Sequence, residues 1–218
     1  MAKKKTISKD NILTYYMDYV LENNTNPKSV YAFSKQNNFE EAKFYEHFAS
    51  FEAIEKSVFE AFYLNSIKAL EKSNDYQNFD SRNKLLSFYF TFFENLTANR
   101  SYVLHVLEKY KKDLKGLKML SGLKHLFTNY IKTLEIEMID VKHEKAEKLQ
   151  YKALQESAWL QLLITIKFWI DDTSPSFEKT DIFIEKSVNT SFDVLDVAPI
   201  KSMIDFGKFL FKEKFQMN

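Results

Sequence analysis

The chain has 218 residues, of which 31 are basic and 30 acidic, so a formal charge of +1 gives it no whole-chain attraction to nucleic acid. With no cysteine it makes no disulfide, cysteine-ligated zinc site or thiol nucleophile, and its start, MAKKKTISKD, is unlike a secretory leader, so a reducing cytoplasm is expected. The longest apolar stretch, 158–170, is broken by Gln161, Thr165 and Lys167 and falls short of the ~18 apolar residues of a membrane span.

Three glycines and three prolines leave few breakers, and Pro27, Pro175 and Pro199 fall between apolar-periodic segments, which predicts an all-α chain. The first helix is expected over 9–23, capped by Ser8 or Asp10, with Ile12, Leu13, Tyr16 and Val20 on one face. Two short helices follow over 29–36 and 40–48. Ser50 then starts a longer fourth helix to about residue 70 through Ile54, Val58, Phe62 and Leu64, joining head to body. SNDYQNFDS, at 73–81, reads as a polar loop. Residues 82–98 carry apolar side chains on every face, the mark of a buried helix. Helices over 102–112 and 117–141 come next, then 143–170, which begins charged and ends nearly all apolar. Pro175 opens a helix to 196 with Ile184, Val188, Phe192 and Leu195 aligned, and Pro199 opens the last, over 199–215. The sum is about ten helices, three of them forming a small N-terminal head.

Residues 29–54, SVYAFSKQNNFEEAKFYEHFASFEAI, carry a motif. Val30 and Phe33 line the inner face of one short helix, Phe39 follows a turn at Asn38, and Phe44, Tyr45 and Phe48 keep a Tyr-x-x-Phe spacing before Ser50. The stretch resembles the helix-turn-helix end of the TetR family of one-component repressors. That resemblance implies a TetR-like fold, with a DNA-binding-like domain over 1–52 and a helical ligand-binding and dimerisation domain over 53–218. It further implies a homodimeric transcriptional regulator whose grip on double-stranded DNA is modulated by an apolar small molecule or lipid. Candidate DNA contacts are Lys43, Tyr45, His47 and Lys28, with Lys3, Lys4 and Lys5 as a basic arm.

The chain departs from the family pattern at four points. Ser34 stands at a usual Ala, Asn38 at the turn Gly, Glu40 and Glu41 where polar and basic residues usually begin the recognition helix, and Phe51 at a frequent phosphate-binding Lys. Eight lysines against eight carboxylates over 1–56 leave the head neutral. An alternative is a lipid-binding accessory protein that has the TetR fold and has lost DNA binding.

In the body, Phe88, Phe92, His105, His125, Phe127 and Trp159 are the candidate effector-pocket residues. Leu160, Leu163, Ile184, Val188 and Phe192 are the candidate dimerisation residues, on the two helices that in the family form a four-helix bundle across the dimer axis. The segment 199–215, with lysines edging an aromatic stripe, is a candidate for docking on the body or for peripheral membrane contact. No catalytic residue, metal site or cofactor is expected. His105 with Glu108 and His143 with Glu147 have helical spacing but no further ligand, and no glycine-rich phosphate loop or nucleophile elbow is present.

Overall fold

A computed structural model describes residues 7–110, 118–137 and 144–196. Among these residues all regular structure is helical, in ten α-helices and one 3-10 turn. Following the chain, they are α1 (Lys9–Asn23), α2 (Val30–Gln36), α3 (Glu41–Tyr45), α4 (Phe51–Leu70), α5 (Asn74–Asn78), α6 (Ser81–Ala98), α7 (Arg100–Tyr110), α8 (Ser121–Thr133), α9 (Glu144–Asp171) and α10 (Glu178–Asp196), with the 3-10 turn at Pro175–Phe177. The expected basic arm and the expected last helix lie outside the described residues. The contacts group residues 1–72 with 91–127 and residues 73–90 with 128–218 as two compact units.

In the first unit, α1 starts on a reciprocal cap. The Asn11 amide donates to Ser8 Oγ at 3.2 Å, and the Ser8 amide donates to Asn11 Oδ1 at 3.2 Å. The helix ends where Asn24 adopts a left-handed backbone, φ 52°. Ser29 and Ser50 cap α2 and α4 by accepting from the amides of Ala32 (3.1 Å) and Ala53 (3.3 Å). Ile12, Tyr16, Val20, Ile54, Val58 and Phe59 are buried where α1 meets α4, each large side chain contributing about 1.5–3 kcal/mol by leaving water. Glu55 is buried among them at 1 % exposure. Its carboxyl accepts from Tyr16 Oη at 2.8 Å and from Asn26 Nδ2 at 3.4 Å, which fixes α1 and the following loop to α4.

In the second unit, α9 and α10 pack as neighbours through Leu162, Ile166 and Trp169 on one and Ile184 and Val188 on the other, all buried. Their connection is built around Asp172, whose carboxylate accepts from Ser174 N and Oγ (2.8 and 2.7 Å) and Thr180 N and Oγ1 (2.9 and 2.7 Å). Burial alone would raise its pKa, but the four hydrogen bonds outweigh this and hold the carboxyl well below the usual carboxylate range. Pro175 therefore opens a 3-10 turn, and α10 proper starts at Glu178. Ser176 and Phe177 take left-handed φ values of 52° and 61°, and the Phe177 ring rests against Trp169 at 6.1 Å.

Two further expectations change. The polar loop at 73–81 contains α5, where buried Tyr76 places its hydroxyl 2.9 Å from that of Tyr130. The helix expected over 117–141 stops at Thr133: Thr133 Oγ1 donates to the Tyr130 carbonyl at 2.7 Å, Ser81 Oγ donates to the Leu134 carbonyl at 2.6 Å, and Glu135 turns left-handed at φ 49°. Residues 138–141 of that expected helix lie outside the described residues.

Candidate nucleic-acid interface

The head is organised around one ring. Phe33, fully buried on α2, meets Tyr16, Tyr19, Phe39, Phe44 and Phe51 with centroids 5.7–6.4 Å apart and planes 77–89° apart, so that ring edges point at ring faces. Asn38 supplies the turn at φ 56°, the left-handed backbone that asparagine accepts more readily than most residues. The Phe39 amide then donates to the Ser34 carbonyl at 3.0 Å. Phe44 and Phe48 face inward at 0 % and 4 % exposure, which fixes the register of α3.

α3 is shorter than the expected 40–48. Glu40 is its N-cap residue without a side-chain cap bond, and beyond Tyr45 the backbone closes in a turn, with the amides of His47 and Phe48 both donating to the Phe44 carbonyl, at 3.0 and 2.8 Å. Ser34, at the Ala position, is buried at 2 %, and its hydroxyl has no hydrogen-bond partner among the described residues.

The surface that this packing presents carries most of the expected DNA contacts. Tyr45 is 55 % exposed, His47 and Lys28 are exposed, and Lys43 is half-exposed; Lys3, Lys4 and Lys5 lie outside the described residues. Lys43 Nζ is bound by both carboxylate oxygens of Glu46, at 2.7 and 3.0 Å. Two more cations lie over rings, Lys35 over Tyr31 at 5.9 Å and Lys9 over Phe48 at 5.7 Å. Tyr31, which is not among the expected contacts, is also exposed, at 59 %. Phe51 turns into the head, stacking on Tyr16 at 5.5 Å and 16° and touching Phe44 at 5.4 Å.

The expected pocket residues are divided between the units. Phe92 and Phe127 are fully buried in the first, with His105 half-buried and His125 exposed there; Phe88 and Trp159 are buried in the second. None of the six lines the 550 Å³ or 380 Å³ grooves along α9 and α10, or the 360 Å³ groove bordered by Asp10, Asp18, Asn65, Asn95 and Asn99.

Of the expected dimerisation residues, Ile184 and Val188 are fully buried against the unit's own interior, so they are not available to a partner. Leu160 is 56 % exposed, and Leu163 and Phe192 are half-buried. Ile164 on α9 and Ile182 on α10 are likewise exposed, at 49 % and 50 %, and Phe168 and Phe183 stack at 4.5 Å and 12° between the two helices.

Two short helices joined through a left-handed asparagine, packed on a core of Phe33, Phe44 and Phe48 and followed by a longer helix, define a helix-turn-helix protein of the all-α class. A family model described as the tetracycline repressor-like C-terminal domain matches residues 84–210, more than half of the chain, and the chain belongs to the TetR family of regulators. The match lies in the body, so the head stands on its own geometry. Comparison with curated proteins finds no match. Among the described residues, no helix is long and apolar enough to cross a membrane.

Proposed function

We propose that the protein is a DNA-binding regulator that acts as a homodimer, with residues 1–52 contacting double-stranded DNA and residues 53–218 dimerising and sensing an apolar effector. The observation that carries this reading is the head, where Phe33, Phe44 and Phe48 hold α3 as a rigid outer element with Tyr45 and His47 turned to solvent. Leu160, Ile164 and Ile182 are large apolar side chains left half-exposed on α9 and α10, and they support a second copy as the covering partner. The effector is taken to be apolar because aromatic side chains fill the interior of each unit, Phe92 and Phe127 in the first and Phe88 and Trp159 in the second, a setting that favours an apolar ligand in either. Its effect on DNA binding is bounded by its difference in affinity for the two states of the protein. A gel-shift with the DNA upstream of the protein's own gene, at low and physiological salt, tests the reading: a sequence-dependent, salt-sensitive shift is expected, and its absence counts against it.

A second reading, a lipid-binding accessory protein with this fold and no DNA activity, is supported by α3 itself. Residues 40–47 hold three glutamates and one lysine, and Phe51 is committed to the head core rather than to a phosphate. Native mass spectrometry of the purified chain and liposome flotation with and without residues 199–218 test it. Protein free of lipid and indifferent to liposomes removes this alternative.

A further inference from the structure

We propose that Glu46 sets the DNA affinity of α3 by holding Lys43, so that Lys43 reaches a phosphate only by exchanging one anionic partner for another. This rests on the DNA-binding reading above. Lys43 is the one lysine or arginine between residues 36 and 55, so the positive charge of the exposed α3 surface depends on it. Its ammonium donates to both Glu46 oxygens, at 2.7 and 3.0 Å, which occupies two of the three protons it could offer to phosphate. The hydrogen bond that Lys43 donates to Glu46, then the charge of Glu46, with a further contribution from Glu40, pushes Lys43 above its ordinary pKa.

The fold does not require this pair. The two side chains are 44 % and 52 % exposed, the register of α3 is held by Phe44 and Phe48 on its other side, and exposed pairs of this kind contribute little to stability. The pair therefore acts on the bound state. When Lys43 moves to a phosphate, the Glu46 carboxylate is left beside that phosphate, and a lysine already neutralised displaces fewer condensed counterions from the duplex. With Glu46 in place, the logarithm of affinity falls less steeply with the logarithm of salt than the number of facing lysines would give.

The test is fluorescence anisotropy of the full chain with a duplex selected on it from a random-sequence pool, comparing wild type, Glu46→Gln, Lys43→Gln and the double variant from 50 to 200 mM salt. Glu46→Gln is expected to bind about three- to tenfold more tightly at low salt and to steepen the salt slope by about 0.9. Its urea midpoint is expected to match wild type, and the gain is expected to vanish in the Lys43→Gln background. Unchanged affinity and slope overturn the proposal, and so does an equal gain without Lys43, which would mean simple repulsion by Glu46. If neither wild type nor Glu46→Gln binds any duplex, the DNA-binding reading itself fails and takes the proposal with it. Binding by Glu46→Gln where wild type binds none supports it.

Discussion

Replacement of Phe33 by alanine is the sharpest test of how the head is held together. The ring is fully buried and meets five other aromatic rings within 6.4 Å. Truncating a buried phenylalanine to alanine costs about 3–5 kcal/mol in lost transfer energy and cavity, and this site has little room to collapse because its walls are rings. A loss of ~4 kcal/mol is a large share of the ~5–15 kcal/mol that keeps a typical domain folded. At a urea dependence of roughly 2 kcal/mol/M, it lowers the midpoint by about 2 M. The two tryptophans, Trp159 and Trp169, both lie in the second unit, so their fluorescence reports that unit, whereas far-ultraviolet circular dichroism reports all the helices. Phe33→Ala is expected to lower the circular dichroism midpoint by that amount, with Phe33→Leu in between. A variant whose circular dichroism and fluorescence transitions both overlay wild type would refute the claim that Phe33 organises the head.

Ser34→Ala removes a buried hydroxyl with no partner among the described residues and is expected to leave stability unchanged or raise it by about 1 kcal/mol, read from the same urea titration; a loss of that size would show that the hydroxyl is bonded. Asp172 has a folded pKa well below its unfolded value, so its stabilising contribution is present in full above pH ~4, starts to decline below that, and is lost only as pH falls through the lower folded pKa. Accordingly, the gap between the thermal midpoints of wild type and Asp172→Asn is expected to be constant from pH ~7 to about pH 5 and to narrow progressively below pH ~4, and a pH-independent gap would contradict this. Leu160→Glu together with Ile164→Glu places charges on the exposed α9 surface and is expected to convert a dimer to a monomer by light scattering without loss of helix; an unchanged mass would move the interface elsewhere.

The parts legible in the sequence are those where one residue type does one physical job. Tyr45 and Phe48 at helical spacing, Asn38 at the turn, Ser8 as one of two candidate caps of α1 and Ser50 at the start of α4 are read directly, because caps and turns act over three or four residues. What escaped needed partners distant in sequence. α5 is too short for a periodicity, and Tyr76 joins the core through Tyr130, far along the chain. The end of α8 carries no glycine or proline; it is set by Ser81 reaching the Leu134 carbonyl. On α9 nearly every face of the second half is apolar, so spacing alone does not separate Leu162 and Ile166, turned inward, from Leu160 and Ile164, turned to solvent. Phe51 shows the same limit, for the sequence records a missing lysine and only the fold reveals a ring stacked on Tyr16.

The central claim is a dimer gripping DNA through two heads, and the most direct measurement of it is the mass of protein bound to a single selected duplex, by sedimentation equilibrium at 50 and 200 mM salt. The expected result is bound protein at twice 25.9 kDa, with weaker binding at the higher salt concentration. A single bound chain, or no bound protein at 50 mM salt, would contradict it.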